Sequence, residues 1–128
     1  MTVQFVLDAG ALLATERADR RWLTLWDYFV QHEIVPRVPV GVVGQVWRGG
    51  PRSARVARVL GASEVRALDD LGARAAGDLC GKARTSDPID ASVVLEAIAF
   101  KATIITSDPT DMRHLADAAG VPVAIVPL

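Results

Sequence analysis

Ser86-Asp87-Pro88-Ile89-Asp90 and Ser107-Asp108-Pro109-Thr110-Asp111 are one phrase written twice in a chain of 128 residues. Each copy offers an Asp suited to an N-cap, a Pro for the first helical position and a second Asp in the first turn. Between the copies an apolar helical pattern runs to Lys101, and Thr103-Ile104-Ile105-Thr106 then reads as a buried, β-branched strand. This part of the chain is therefore expected to run helix, strand, helix, with two carboxylates at each helix start. Taken alone, either phrase is an ordinary helix start whose acids favour the helix dipole.

The same alternation extends through the chain. Val3 to Leu7 reads as a strand and Gly10 to Thr15 as a short helix. Asp19 caps a second helix whose apolar positions, Trp22, Leu25, Trp26, Phe29 and Val30, follow the 3.6 period. Its two tryptophans suit the core or, alternatively, a surface for a partner. Ile34 to Val38 is a second strand, short or near an edge because Pro36 interrupts it. Pro39 opens a helix from Val40 to Trp47, which Gly49-Gly50-Pro51 ends. A helix from Arg52 to Leu60, a partly exposed strand from Glu64 to Leu68 and a long helix from Asp69 to about Arg84 come next, the last with Leu71, Ala75, Leu79 and Ala83 four apart. The helix after the first Ser-Asp-Pro phrase should bury Val93, Val94, Ala97 and Ile98. Beyond the β-branched strand, a helix from Thr110 to Ala119 and a strand from Pro122 to Val126 complete the chain. The pattern predicts one α/β domain over residues 1–128, with a mostly parallel central sheet of about five strands flanked by helices.

A third acid bears on chemistry. Asp8 directly follows the first strand, and in an open parallel sheet the groups just past the carboxyl ends of strands gather in one crevice. Asp8 and Asp108 belong there, and the helix opened by Pro88 would bring Asp90 to them. Gathered carboxylates repel one another unless a cation is present, and oxygen donors of this kind suit Mg²⁺ or Mn²⁺.

Other classes fit poorly. The apolar runs are too short for a membrane span, and Met1 is followed almost at once by a strand, so a cytoplasmic protein is expected. The single cysteine, Cys80, excludes an internal disulfide framework and a thiolate metal cluster; it falls at helical spacing with Ala76, Leu79 and Ala83 and reads as core. A haloacid-dehalogenase phosphatase would carry a second Asp at the position of Gly10, and a receiver domain would pair acids near the first strand, where Asp8 stands alone. His32 and His114 lie in helical contexts with no nucleophile signature, which argues against a serine or cysteine hydrolase; His114 reads as a polar face residue.

A net charge of -1 says little about partners, but Arg48, Arg52 and Arg55 recur at i, i+4 and i+7, and no acid interrupts the segment through Arg58. That spacing is one helical face, either simply solvated or a phosphate-binding stripe.

Leu7-Asp8-Ala9-Gly10-Ala11-Leu12, Gln45-Val46-Trp47-Arg48-Gly49-Gly50, Asp90-Ala91 and Thr106-Ser107-Asp108 stand in an order and spacing that resemble a PIN domain, and more narrowly a VapC-type toxin of a type II toxin–antitoxin pair. The resemblance covers nearly the whole chain. It implies a metal-dependent ribonuclease in which Asp8, Asp90 and Asp108 hold Mg²⁺ or Mn²⁺, with Asp111 as a fourth or more distant group. Thr106, two residues before Asp108, would orient an acid or a water if the strand persists that far, and Asp87 is better read as the helix cap. Three carboxylates suit one firmly held ion, with a second arriving with substrate. Gln45 stands where most members have a glutamate, so a charge is missing from the site; this leaves open the alternative of a catalytically silent module that binds RNA or an antitoxin. The implied partners are a VapB-type antitoxin, an RNA substrate contacted by Arg48, Arg52 and Arg55, and a second copy in a homodimer.

Overall fold

The computed structural model describes residues 3–128. Strands β1 (Phe5–Leu7), β2 (Arg37–Pro39), β3 (Glu64–Arg66), β4 (Thr103–Thr106) and β5 (Ile125–Pro127) form one sheet in the order β3-β2-β1-β4-β5, every pair parallel. The helices are α1 (Ala9–Glu16), α2 (Arg20–Gln31), α3 (Val40–Val46), α4 (Ala54–Gly61), α5 (Asp70–Ala83), α6 (Pro88–Phe100) and α7 (Pro109–Ala119). The chain steps outward from β1 to β3, then returns past β1 to lay down β4 and β5. Because parallel crossovers are right-handed, this reversal sends α1–α4 to one face of the sheet and α5–α7 to the other. Accordingly α5, α6 and α7 pack on one another, and α1 packs on α2, α3 and α4. No helix among the described residues is long and apolar enough to cross a membrane.

The inner strands are the apolar ones. Val6, Leu7, Ile104 and Ile105 are fully buried, and the register sets Val6 against Ile104 and Leu7 against Ile105. Helix α2 adds Trp22 and Phe29, both fully buried, with Trp22 stacked on Trp26 at 5.8 Å between ring centroids. Trp22 is therefore core. Trp26 is only partly buried, and Val30, expected on the same apolar face, is 58% exposed because it lies past the edge of the buried stripe. On α5 the buried side chains are Ala76, Leu79, Cys80 and Ala83, whereas Leu71 is 77% exposed.

Several element boundaries differ from the sequence expectation. Strand β2 begins after Pro36, whose carbonyl accepts from Glu64 N at 2.8 Å but which has no N–H to give; Ile34 and Val35 precede the ladder. Strand β3 stops at Arg66, and β5 starts only at Ile125. The segment from Arg48 to Arg58 is not one helix. Trp47 is already extended, Gly49 and Gly50 take positive φ, Pro51–Ser53 form a single 3₁₀ turn, and α4 starts at Ala54. Arg48, Arg52 and Arg55 thus sit on a loop, a 3₁₀ turn and a helix rather than on one helical face. Arg52 pairs with Glu16 at 2.7 Å, and the Arg48 guanidinium donates to the carbonyls of Trp47 and Gln45.

Candidate metal centre

The strand order reverses between β1 and β4, and beyond their carboxyl ends lies the crevice where open parallel sheets place their ligands. Asp8 follows β1 and caps α1, its Oδ1 accepting from Ala11 N at 3.3 Å. It is only 4% exposed. Continuing the register one step past Leu7 and Ile105 sets Asp8 against Thr106, and the Thr106 hydroxyl donates to Asp8 Oδ2. That hydroxyl accepts in turn from Asp108 N at 2.8 Å, so its one hydrogen is committed to Asp8.

The duplicated phrase is used in two ways. Asp87 caps α6, its Oδ1 accepting from the N–H groups of Ile89 and Asp90, both at 3.0 Å. Asp108 begins α7 in the same sequence setting but makes no side-chain cap bond. Strand β4 has ended by then, so Thr106 and Asp108 are not alternate residues of one strand; they are joined by the turn that Thr106 closes on the Asp108 N–H.

The carboxylates act on one another. Asp90 is pushed up to about 7, first by burial and then by the charges of Asp87, Asp8, Asp108 and Asp111. Burial raises Asp8 against the opposing bonds from Thr106, Ala11 and Gly10, with a further rise from Asp108. Asp108 is raised by desolvation and then by Asp111, one turn along α7. Asp8, Asp90, Asp108 and Asp111 therefore share one electrostatic field. Among the described residues, however, no three His, Cys, Asp or Glu side chains already close on a common point. The donor set is all oxygen and self-repelling, which fits a hard divalent cation better than a soft one.

Gln45 is half-buried on α3. It stands one turn beyond Gly41, whose open side faces Ile89 at the start of α6, so both belong to the helix side turned toward Asp90's own element. Arg52 and Arg55, with Arg58, line a separate open groove beside Glu16.

Compared with known proteins, the sequence matches no family model and no curated protein. Solved structures do match. VapBC2 of Rickettsia felis, bound to a DNA fragment from their promoter, superposes with a TM-score of 0.72 at 11% identity, over 98% of this chain and 99% of that one. FitAcB of Neisseria gonorrhoeae has a TM-score of 0.65 at 12% identity, over 95% and 96%. PAE2754 of Pyrobaculum aerophilum has 0.60 at 17%, over 98% and 90%. The fold is that of a PIN domain.

Within this PIN fold two features escape sequence reasoning. Gly10 touches the segment that carries Asp108: a Cβ there would lie 2.1 Å from Ser107 Oγ and 2.8 Å from Ser107 N. The position where a phosphatase of the other family would carry its second Asp thus has no room for a methyl group. His114 joins Asp111 on one side of α7, and both line a cleft of about 330 Å³ together with Asp87 and Asp90. The i, i+3 spacing of Asp111 and His114 was the available signal, but a lone histidine on a helix rarely means more than a polar face.

Proposed function

We propose that the chain is a metal-dependent endoribonuclease, the toxin of a type II toxin–antitoxin pair, hydrolysing RNA phosphodiester bonds at the Asp8, Asp90, Asp108 and Asp111 crevice. What carries this reading is the gathering of Asp8, Asp90 and Asp108 at the topological switch point, close enough that each carboxyl is raised, Asp90 to about 7. A bound Mg²⁺ or Mn²⁺ would lower the pKa of a water and absorb charge developing on the phosphate oxygens. Each residue has a definable part in holding it. Asp8 is locked in orientation by Ala11 N and the Thr106 hydroxyl, and its carboxylate oxygens retain further acceptor capacity. Thr106 ties Asp8 to the Asp108 backbone, so the two acids keep their spacing. Asp90 stands in the first turn of α6, and Asp111 supplies negative charge beside Asp108. Gln45 would accept from a water on that ion but takes no proton at neutral pH.

Replacing Gln45 by Glu is expected to tighten Mg²⁺ or Mn²⁺ binding by about tenfold, about 1.4 kcal/mol, as titration calorimetry would record. Unchanged affinity would place Gln45 outside the metal's reach.

Arg48, Arg52 and Arg55 remain our assignment for RNA phosphate contacts, reached as three separate side chains rather than one stripe. Swapping all three to Gln should flatten the salt dependence of RNA binding by about 2 in log–log slope, the effect of losing three single-strand phosphate contacts. An unaltered slope would make them plain surface. The likeness to VapBC2 and FitAcB supports a VapB-type antitoxin as partner; a homodimer belongs to the same proposal. An antitoxin arginine entering the crevice would satisfy the same charges as a cation does.

Gln45 and the unclosed acid set favour one competing reading, a silent module that binds without cutting. Cleavage of total RNA by the antitoxin-free protein decides between them, run with Mg²⁺, Mn²⁺ or chelator beside an Asp8→Asn, Asp90→Asn double variant. Discrete metal-dependent cuts, absent in the variant, support the nuclease. A folded protein that binds RNA or antitoxin and cuts with neither metal is the silent module.

A further inference from the structure

The 330 Å³ cleft beside the acids is formed by three helix ends. Thr85 and Ser86 follow the last turn of α5, Asp87 and Asp90 open α6, and Asp111 and His114 come from the first turns of α7. The walls are held in place: Thr85 N donates to the Cys80 carbonyl at 3.1 Å, and His114 Nε2 lies 2.6 Å from the Ala83 carbonyl.

Those contacts set the cleft's hydrogen-bonding character. A carbonyl only accepts, so Nε2 of His114 carries a hydrogen and donates it. Asp87, which lines the cleft, spends Oδ1 on the backbone of α6 and keeps Oδ2 as an acceptor. The Thr85 and Ser86 hydroxyls adapt either way. With Asp90 and Asp111 committed to the cation, Asp87 makes what is left of the lining accept more readily than it donates. A neutral group rich in donors suits it, with a histidine ring available for stacking.

Resting on the RNA-cleaving function proposed above, we infer that this cleft receives one unpaired nucleoside flanking the cut phosphate and prefers guanine, whose pairing edge presents adjacent N1–H and N2–H donors to Asp87 and its neighbours. At about 330 Å³ the cleft is large enough for one nucleoside. Asp87 thus has two roles, capping α6 with one oxygen and reading a base with the other.

The test compares guanosine with inosine, which differ only by the exocyclic amino group. Each is titrated into the full-length protein in Mg²⁺ while the His114 ring proton resonances are followed by NMR. Guanosine is expected to shift them and to bind about fivefold tighter, the worth of one amino hydrogen bond. Asp87→Asn keeps the cap, since Asn is an equally good N-cap, but turns the remaining acceptor into a donor. In that variant the guanosine preference should vanish or reverse, and a base preference beside the cut site should relax in parallel. Equal binding of the two nucleosides, no shift at His114, or an unchanged preference in a folded Asp87→Asn variant each overturns the inference. Guanosine discrimination without RNA cleavage would sink the nuclease and leave the cleft; cleavage without discrimination would do the opposite.

Discussion

Asp90→Asn is expected to abolish metal-dependent cleavage and, at the same time, to make the metal-free protein more stable at pH 8. The carboxyl of Asp90 binds its proton more tightly folded, at about 7, than unfolded, at 3.8. Between those values the native state holds more protons than the unfolded one, so its stability falls as pH rises from about 4 to about 7 and then levels off. Below about pH 3 the carboxyl is neutral in both states and costs nothing. The full shift would correspond to roughly 4 kcal/mol, but the group is only half-buried and solvent screens it, so about 1 to 2 kcal/mol is the expected penalty. The asparagine variant escapes that penalty, gaining about 4 to 8 °C in Tm at pH 8 in chelator and almost nothing at about pH 3. Thermal unfolding at the two pH values checks this. A pH-independent difference between the proteins, or a variant less stable at pH 8, would show that the repulsion is not there. Added Mg²⁺ should close the gap by stabilising only the wild type.

Gly10→Ala should produce the largest steric loss of stability of any glycine-to-alanine change in the chain. The new Cβ meets Ser107 Oγ at 2.1 Å, Ser107 Cβ at 2.7 Å and Ser107 N at 2.8 Å, and the last is backbone that no rotamer change can clear. Helix α1 and the β4–α7 connection must separate, at a cost of about 2 to 3 kcal/mol and a fall in Tm of about 8 to 12 °C. That separation also pulls Asp108 away from Asp8, so Mg²⁺ affinity should drop with stability. Adding Ser107→Gly removes the side-chain part of the clash and should recover only part of the loss. Full recovery by the second substitution, or a Gly10→Ala protein that melts with the wild type, would show that the connection is slack.

These two positions mark how far the sequence could be read. Asp8, Asp90, Asp108 and Asp111 were nameable because strand ends, caps and first turns are local features, each decided within about four residues. Gly10 entered only as part of a short motif. Its contact with Ser107 spans almost the length of the chain and follows from β1 lying beside β4.

The arginines show the converse. A spacing of i, i+4 and i+7 is a helical face only if a helix is present, and Gly49 and Gly50, both at positive φ, together with Pro51, break it between Arg48 and Arg55. The Gly-Gly-Pro signal was visible, yet the face was drawn across it.

By itself the sequence determined the alternation of strands and helices, the buried β4 run and the positions of the acids, because hydrophobic period, β-branching and capping chemistry are local. Only the tertiary structure decided that Asp87 caps its helix while Asp108, in the same phrase, does not: the chain enters α7 directly from the strand paired with β1, with backbone angles at Asp108 (φ -129°, ψ 62°) that differ from those at Asp87 (φ -107°, ψ 90°). It alone also brought His114 to the acidic cleft, since α5, α6 and α7 meet there only through the reversal of strand order that places them on one face of the sheet.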